Sequence, residues 1–118
     1  MTPILQTKLH SKEVRGNCLQ ASLASFFDLN LIDVPSFELM ERERWKINLI
    51  DWLENKGVLL NESNTQPENR EHYILIGLSE RGILHCVIGK EGMIVHDPHP
   101  SKAGLLDCRN FWQFKSIK

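Results

Sequence analysis

Residues 17–30, NCLQASLASFFDLN, constrain the fold more than any other stretch. Leu19, Leu23, Phe26 and Phe27 recur at helical spacing, and the small residues Ala21, Ser22, Ala24 and Ser25 stand between them. A helix with small faces lets other elements pack closely against it, so it belongs in the interior. The spacing predicts a helix from Cys18 to about Leu29. Asn17 fits the N-cap, since its side-chain oxygen can accept from a first-turn N–H that lacks an intrahelical partner. Cys18 then lies in the first turn.

Before this helix, residues 1–16 are polar with scattered apolar positions and end at the turn signal Gly16-Asn17, which suggests an extended or looped lead-in. After it, Val34-Pro35-Ser36 interrupts helix, with Ser36 placed to cap the next one. A second helical region is expected from about Phe37 to Asn55, broken near Arg44 where the apolar face drifts. Lys56-Gly57 ends it. Trp45 and Trp52, seven residues apart on one helical face, read as core packing. Residues 61–71, NESNTQPENRE, read as a surface loop. Strands are expected at His72–Leu78, Ile83–Ile88 and Met93–His96, with Lys90-Glu91-Gly92 joining the last two as a hairpin, and a final strand at Phe111–Ile117. Helices followed by antiparallel strands make the α+β class.

The 118 residues suit one domain over the whole chain, and 42% hydrophobic with 25% charged residues is ordinary globular usage. A net charge of −1 supplies no global field for nucleic acid or an anionic membrane, so neither is expected as a partner. The N-terminal residues lack the apolar core of a secretory signal and no stretch approaches a membrane span, so a cytoplasmic location is expected. The three cysteines, Cys18, Cys86 and Cys108, are an odd number without CxxC spacing, which argues against a disulfide framework or a zinc ribbon.

Chemistry enters through Cys18. The thiolate is the reactive form of cysteine, and a helix N-terminus favours negative charge through its unpaired N–H groups and dipole. His85 lies within the strand ILHCVIG, and Asp97 follows the partner run MIVH. Adjacent antiparallel strands can present both side chains to one end of the helix. An imidazole held by a carboxylate and aimed at a thiol is what a cysteine nucleophile requires. Strand alternation points His96 away from the Asp97 face, so only one of the two can serve, and Asp97 is favoured. His99, between two prolines, can contact substrate or remain a solvated loop residue.

The segments GNCLQASLAS, HCVI and IVHDP resemble papain-like cysteine peptidases, and especially the bacteriocin leader-peptidase branch, whose members carry Cys at a helix start, then His on a strand, then Asp-Pro one hairpin later. The resemblance covers residues 16–28 and 83–100. It implies a papain-like fold, a Cys18, His85 and Asp97 triad, and hydrolysis of an amide bond through a thioester. A peptide or protein is the implied substrate, and no cofactor or metal is implied. It also implies a glutamine before the nucleophile as oxyanion-hole donor, for which Gln6 is the candidate, with Gln20 turned elsewhere inside the helix. Gln6 precedes Cys18 by more than is typical of the group, and Leu19 replaces the usual glycine after the nucleophile.

Other readings stay open at this level. Cys18, His85, His96, Asp97 and His99 offer metal-ligating atoms, but no HxxxH or CxxC spacing organises them. A non-catalytic papain-like binding module could use the charged run ERERWK as a contact surface. Glutamine deamidation and acyl transfer proceed through the same thioester.

Overall fold

A computed structural model describes residues 2–7 and 16–117. Helix α1 spans Cys18–Phe27 and helix α2 spans Trp45–Asn55. Five strands come after them: β1 Val58–Ser63, β2 Tyr73–Leu78, β3 Leu84–Lys90, β4 Met93–His96 and β5 Asn110–Ser116. They form one antiparallel sheet in the order β1-β5-β2-β3-β4. The class is α+β, as the order of helical and alternating patterns implies.

The α1 helix is short because Asp28 takes a left-handed conformation, φ 55°, and stops it. Leu19, Leu23, Ala24 and Ser25 are buried, so the helix is interior along most of its length. Asn17 occupies the N-cap position but makes no capping bond to α1. Its side chain exchanges bonds with Thr7 instead, Thr7 N–H to Oδ1 at 3.0 Å and Nδ2–H to Thr7 Oγ1 at 3.0 Å. The Gln20 N–H in that first turn is taken by the Glu38 carboxylate at 2.9 Å. Gln20 itself turns to the Leu31 and Val34 carbonyls, away from the start of the helix.

The second helical region is not continuous. A 3-10 turn at Phe37–Leu39 precedes α2, which begins at Trp45 beside the expected break. Trp52 packs edge-on against Phe27 and Phe37, whereas Trp45 stacks on Trp112 at 6.3 Å between centroids. Two helical turns separate them by roughly 10 Å along the axis, enough to give residues on one face different neighbours.

Strand β1 overlaps the stretch expected to be surface loop, and residues 61–63 belong to it. Val58-Leu-Leu is too short an apolar run to announce a strand, and Asn61, Glu62 and Ser63 are polar because β1 is an edge. Its partner β5 supplies the order, from Val58 opposite Ser116 to Ser63 opposite Phe111. The β3–β4 hairpin turns on Glu91 and Gly92, both at positive φ (52° and 82°), as a two-residue turn matched to strand twist demands.

One face of the sheet meets the helices through Ile74, Cys86 and Trp112, which pack with Leu19, Leu23, Leu49 and Leu53. The other face carries Tyr73, Leu75, Val87 and Phe111, with Leu105 of the β4–β5 connection packed against them. That connection then runs beside β2: Leu106 N–H bonds the Leu78 carbonyl, Arg109 N–H bonds Ile76, and the Asp107 carboxylate accepts from Leu78 N–H. The start of α1 thus comes to β3, and the β4–β5 connection comes back over the same strand. No helix among the described residues is long and apolar enough to cross a membrane.

Candidate active site

Cys18 opens α1 and lines one groove with His85 and Cys86 of β3, and it packs against the core cluster that holds Cys86. His85 Nε2 lies 2.6 Å from Asp97 Oδ1, both side chains buried. With Nε2 engaged by the acid, Nδ1 is the ring nitrogen left to take and return a proton. The hairpin sets this geometry: Ile88 pairs with His96, so Asp97 emerges directly from the end of β4.

The chain after Asp97 folds into a cradle around it. Oδ1 accepts from His99 N–H at 2.9 Å and Oδ2 from Gly104 N–H at 2.8 Å, while Lys102 Nζ holds the Asp97 backbone carbonyl at 2.6 Å. Burial pushes the Asp97 carboxyl up, but His85 and the two N–H donors outweigh it and hold the acid at about 2. Burial likewise pulls the His85 imidazole down, and the opposing bonds to Asp97 and the Cys18 sulfur lift it to about 9. Donation from the Cys86 thiol does most to lower Cys18 well below an ordinary thiol; burial opposes it and His85 adds to it. Cys86 is pushed up in return, first by its bond to Cys18 and then by burial. Both shifts favour a thiolate at Cys18 and an imidazolium at His85.

Gln6 reaches this place despite its distance in sequence. Its N–H bonds the Pro98 carbonyl at 2.9 Å. On either side, Ile4 N–H bonds Ser25 Oγ at 2.8 Å and Thr7 bonds Asn17. His96 Nε2 meets the Ile4 carbonyl at 2.7 Å, so His96 fastens the lead-in and points away from the thiol, as strand alternation requires. Residues 4–7 are thereby clamped between α1 and the end of β4.

A groove of about 740 Å³ opens over Cys18, with Gln6, His85, Cys86 and His99 in its wall. His99 stands edge-on to His85, ring centroids 6.0 Å apart, and is half-buried rather than solvated. Trp45 and Trp112 also face the groove, so Trp45 is a wall residue as well as a packing one. Lys46 lies over both indoles and pairs with Glu62 at 2.6 Å. Leu19 packs in the core, 6% exposed, and also contributes to the groove wall.

Cys18, His85, Asp97 and Gln6 are therefore brought together. Cys86 is the member that sequence reasoning missed as a contributor: alternation assigns it to the sheet face opposite His85. The signal was its position beside His85 in a strand that must touch the helix start. No family model, curated protein or solved structure matches the chain.

Proposed function

We propose that the chain is a papain-like cysteine hydrolase of amide bonds, with peptides as its substrates. The observation that carries this reading is the buried 2.6 Å contact between His85 Nε2 and Asp97 Oδ1, in a histidine that shares its groove wall with a cysteine at a helix start.

In this reading the Cys18 thiolate attacks the substrate carbonyl carbon, forming a C–S bond. Charge moves to the carbonyl oxygen, where the Gln6 side-chain amide and the Cys18 N–H receive it. Collapse breaks the C–N bond as His85 Nδ1 gives its proton to the leaving amine, and a thioester remains on Cys18. His85 then takes a proton from water, hydroxide adds to the thioester, and the acid leaves with Cys18 returned to thiolate. Asp97 keeps Nε2 protonated throughout.

A groove of about 740 Å³ has the size of a site that encloses a short peptide segment. Two buried atoms of groove residues, Nε1 of Trp112 and Oδ1 of Asn110, have no hydrogen-bond partner among the described residues. A peptide unit brings one acceptor and one donor, the complement of that pair.

The test is iodoacetamide labelling across acidic to alkaline pH, read by mass spectrometry, with digestion of a peptide library as the second step. Cys18 should label faster than Cys86 and Cys108 well below the ordinary thiol pKa of about 8.5, and Cys18→Ala should abolish cleavage. Labelling of Cys18 only near the ordinary value, or cleavage that survives Cys18→Ala, refutes the assignment.

A further inference from the structure

Cys86 takes no part in the proton transfers above, yet it lines the groove with the nucleophile. It is 7% exposed and packs in the core cluster between α1 and the sheet. Cys18 packs against that same cluster, and both cysteines line the same groove. The third thiol, Cys108, is exposed on the β4–β5 connection and does not line the groove. A pair of cysteines, one reachable and one sealed behind it, is the arrangement of an oxidisable thiol with its resolving partner.

We propose that Cys86 is a resolving cysteine: a hydroperoxide entering the groove oxidises Cys18, and Cys86 then closes a reversible Cys18–Cys86 disulfide that silences the site and protects Cys18 from irreversible oxidation. In the first step the Cys18 thiolate attacks one peroxide oxygen. An S–O bond forms and the O–O bond breaks; sulfur loses two electrons and peroxide gains them. The released hydroxide or alkoxide takes the His85 proton, leaving Cys18 as sulfenic acid. In the second step the Cys86 sulfur attacks the Cys18 sulfur, an S–S bond forms, the S–O bond breaks, and the hydroxide leaves as water with the Cys86 proton. Two thiols and one hydroperoxide thus become one disulfide, with one water and one water or alcohol.

The surroundings suit this order. Cys86 holds its proton while Cys18 is a thiolate, because its bond to Cys18 and the thiolate charge push it up along with burial. Oxidation of Cys18 to the neutral sulfenic acid removes that charge. His85, having just given up its proton, is then the neighbouring base. Cys86 therefore becomes a nucleophile at the moment its partner becomes an electrophile.

The inference rests on the reactive thiolate of the proposed function but not on which amide bond is cleaved, and its test uses no substrate. The full chain carrying Cys108→Ser is treated with graded hydrogen peroxide, and intact and tryptic masses are read. The expected result is loss of two hydrogens, a linked peptide pair containing Cys18 and Cys86, and loss of iodoacetamide labelling that dithiothreitol restores. With Cys86→Ala or Cys86→Ser added, Cys18 should instead gain two oxygens and stay unreactive after dithiothreitol. Low-pH labelling of Cys18 with peroxide yielding sulfinic acid and no linked pair overturns this inference alone. Absence of both low-pH labelling and peroxide sensitivity overturns it together with the thiolate reading. Neither of these results depends on whether the Cys86 variants fold.

Discussion

Glu38 Oε1 accepts the Gln20 N–H at 2.9 Å, so the helix that presents Cys18 is capped by an acid from a different element. A negative group at a helix N-terminus satisfies an orphan donor and complements the dipole. Glu38→Ala should therefore lower stability by about 1 kcal/mol in urea denaturation. Glu38→Gln, which keeps an acceptor and loses the charge, should cost less and should ease Cys86 downward, since the Glu38 charge contributes to its elevation. Equal losses for the two variants would remove the capping role.

Asp97 offers a sharper test through His85. Replacing Asp97 by Ala strands the His99 and Gly104 N–H groups, so Asp97→Asn is the cleaner variant, keeping an oxygen in the cradle. The His85 imidazole should fall from about 9 toward its ordinary value of about 6.5. Turnover should drop by about 10³ to 10⁴, as when a buried acid stops fixing the tautomer of a catalytic imidazole. Titration of the His85 ring by NMR checks the first, and peptide cleavage the second.

The pH dependence comes from the same two residues. His85 is raised to about 9, so its contribution to stability is complete below its unfolded value of about 6.5 and disappears as pH rises through about 9. Asp97 is held at about 2, so its contribution is complete above its unfolded value of about 3.9 and disappears as pH falls through about 2. The melting temperature should be flat with respect to these groups between about pH 4 and 6.5 and decline on both sides. Cleavage should share the alkaline limb, because amine departure needs the His85 proton. An alkaline limb that persists in His85→Ala would assign it elsewhere.

Gly77 lies opposite His85 in the β2–β3 register, and a Cβ there would run into the backbone carbonyl of Asp107. Gly77→Ala should displace the connection that covers the sheet and destabilise the fold by about 1 to 3 kcal/mol, the usual range for overpacking. Urea denaturation measures the loss. A variant with unchanged midpoint would mean that the connection yields freely.

Gln6 and the thiolate can be separated. Gln6→Ala should reduce kcat by about 10² to 10³ while leaving low-pH labelling of Cys18 intact, because oxyanion stabilisation and thiol activation involve different groups. Ser25→Ala, which removes the bond from Ile4 N–H that helps to fix the lead-in, should move kcat in the same direction by a smaller factor. A parallel loss of labelling in Gln6→Ala would mean that the residue supports Cys18 itself.

The legible parts of this molecule are those with local causes. The period of Leu19, Leu23, Phe26 and Phe27 announces α1, apolar strand-like runs announce β2, β3 and β4, and the alternating aromatics announce β5. The meeting of His85 and Asp97 could be foreseen because one hairpin holds both. What stayed hidden depends on distant partners. Strand β1 exists through β5, the cap of α1 comes from Glu38, and Gln6 is positioned by Ser25, Asn17 and Pro98. Cys86 was hidden for a different reason, since period-two alternation does not describe the meeting of a strand with a helix terminus.

The late position of the β3–β4 hairpin shapes how the growing polypeptide behaves. During synthesis Cys18 leaves the ribosome long before His85, Cys86 and Asp97 are made, and at that stage nothing lowers its thiol. The groups that lower it arrive only when the hairpin docks on the helix start. If the proposed function holds, a chain able to attack amide bonds is thus disarmed while its own backbone is still unfolded, and Cys18 alkylation during translation would report the moment of docking.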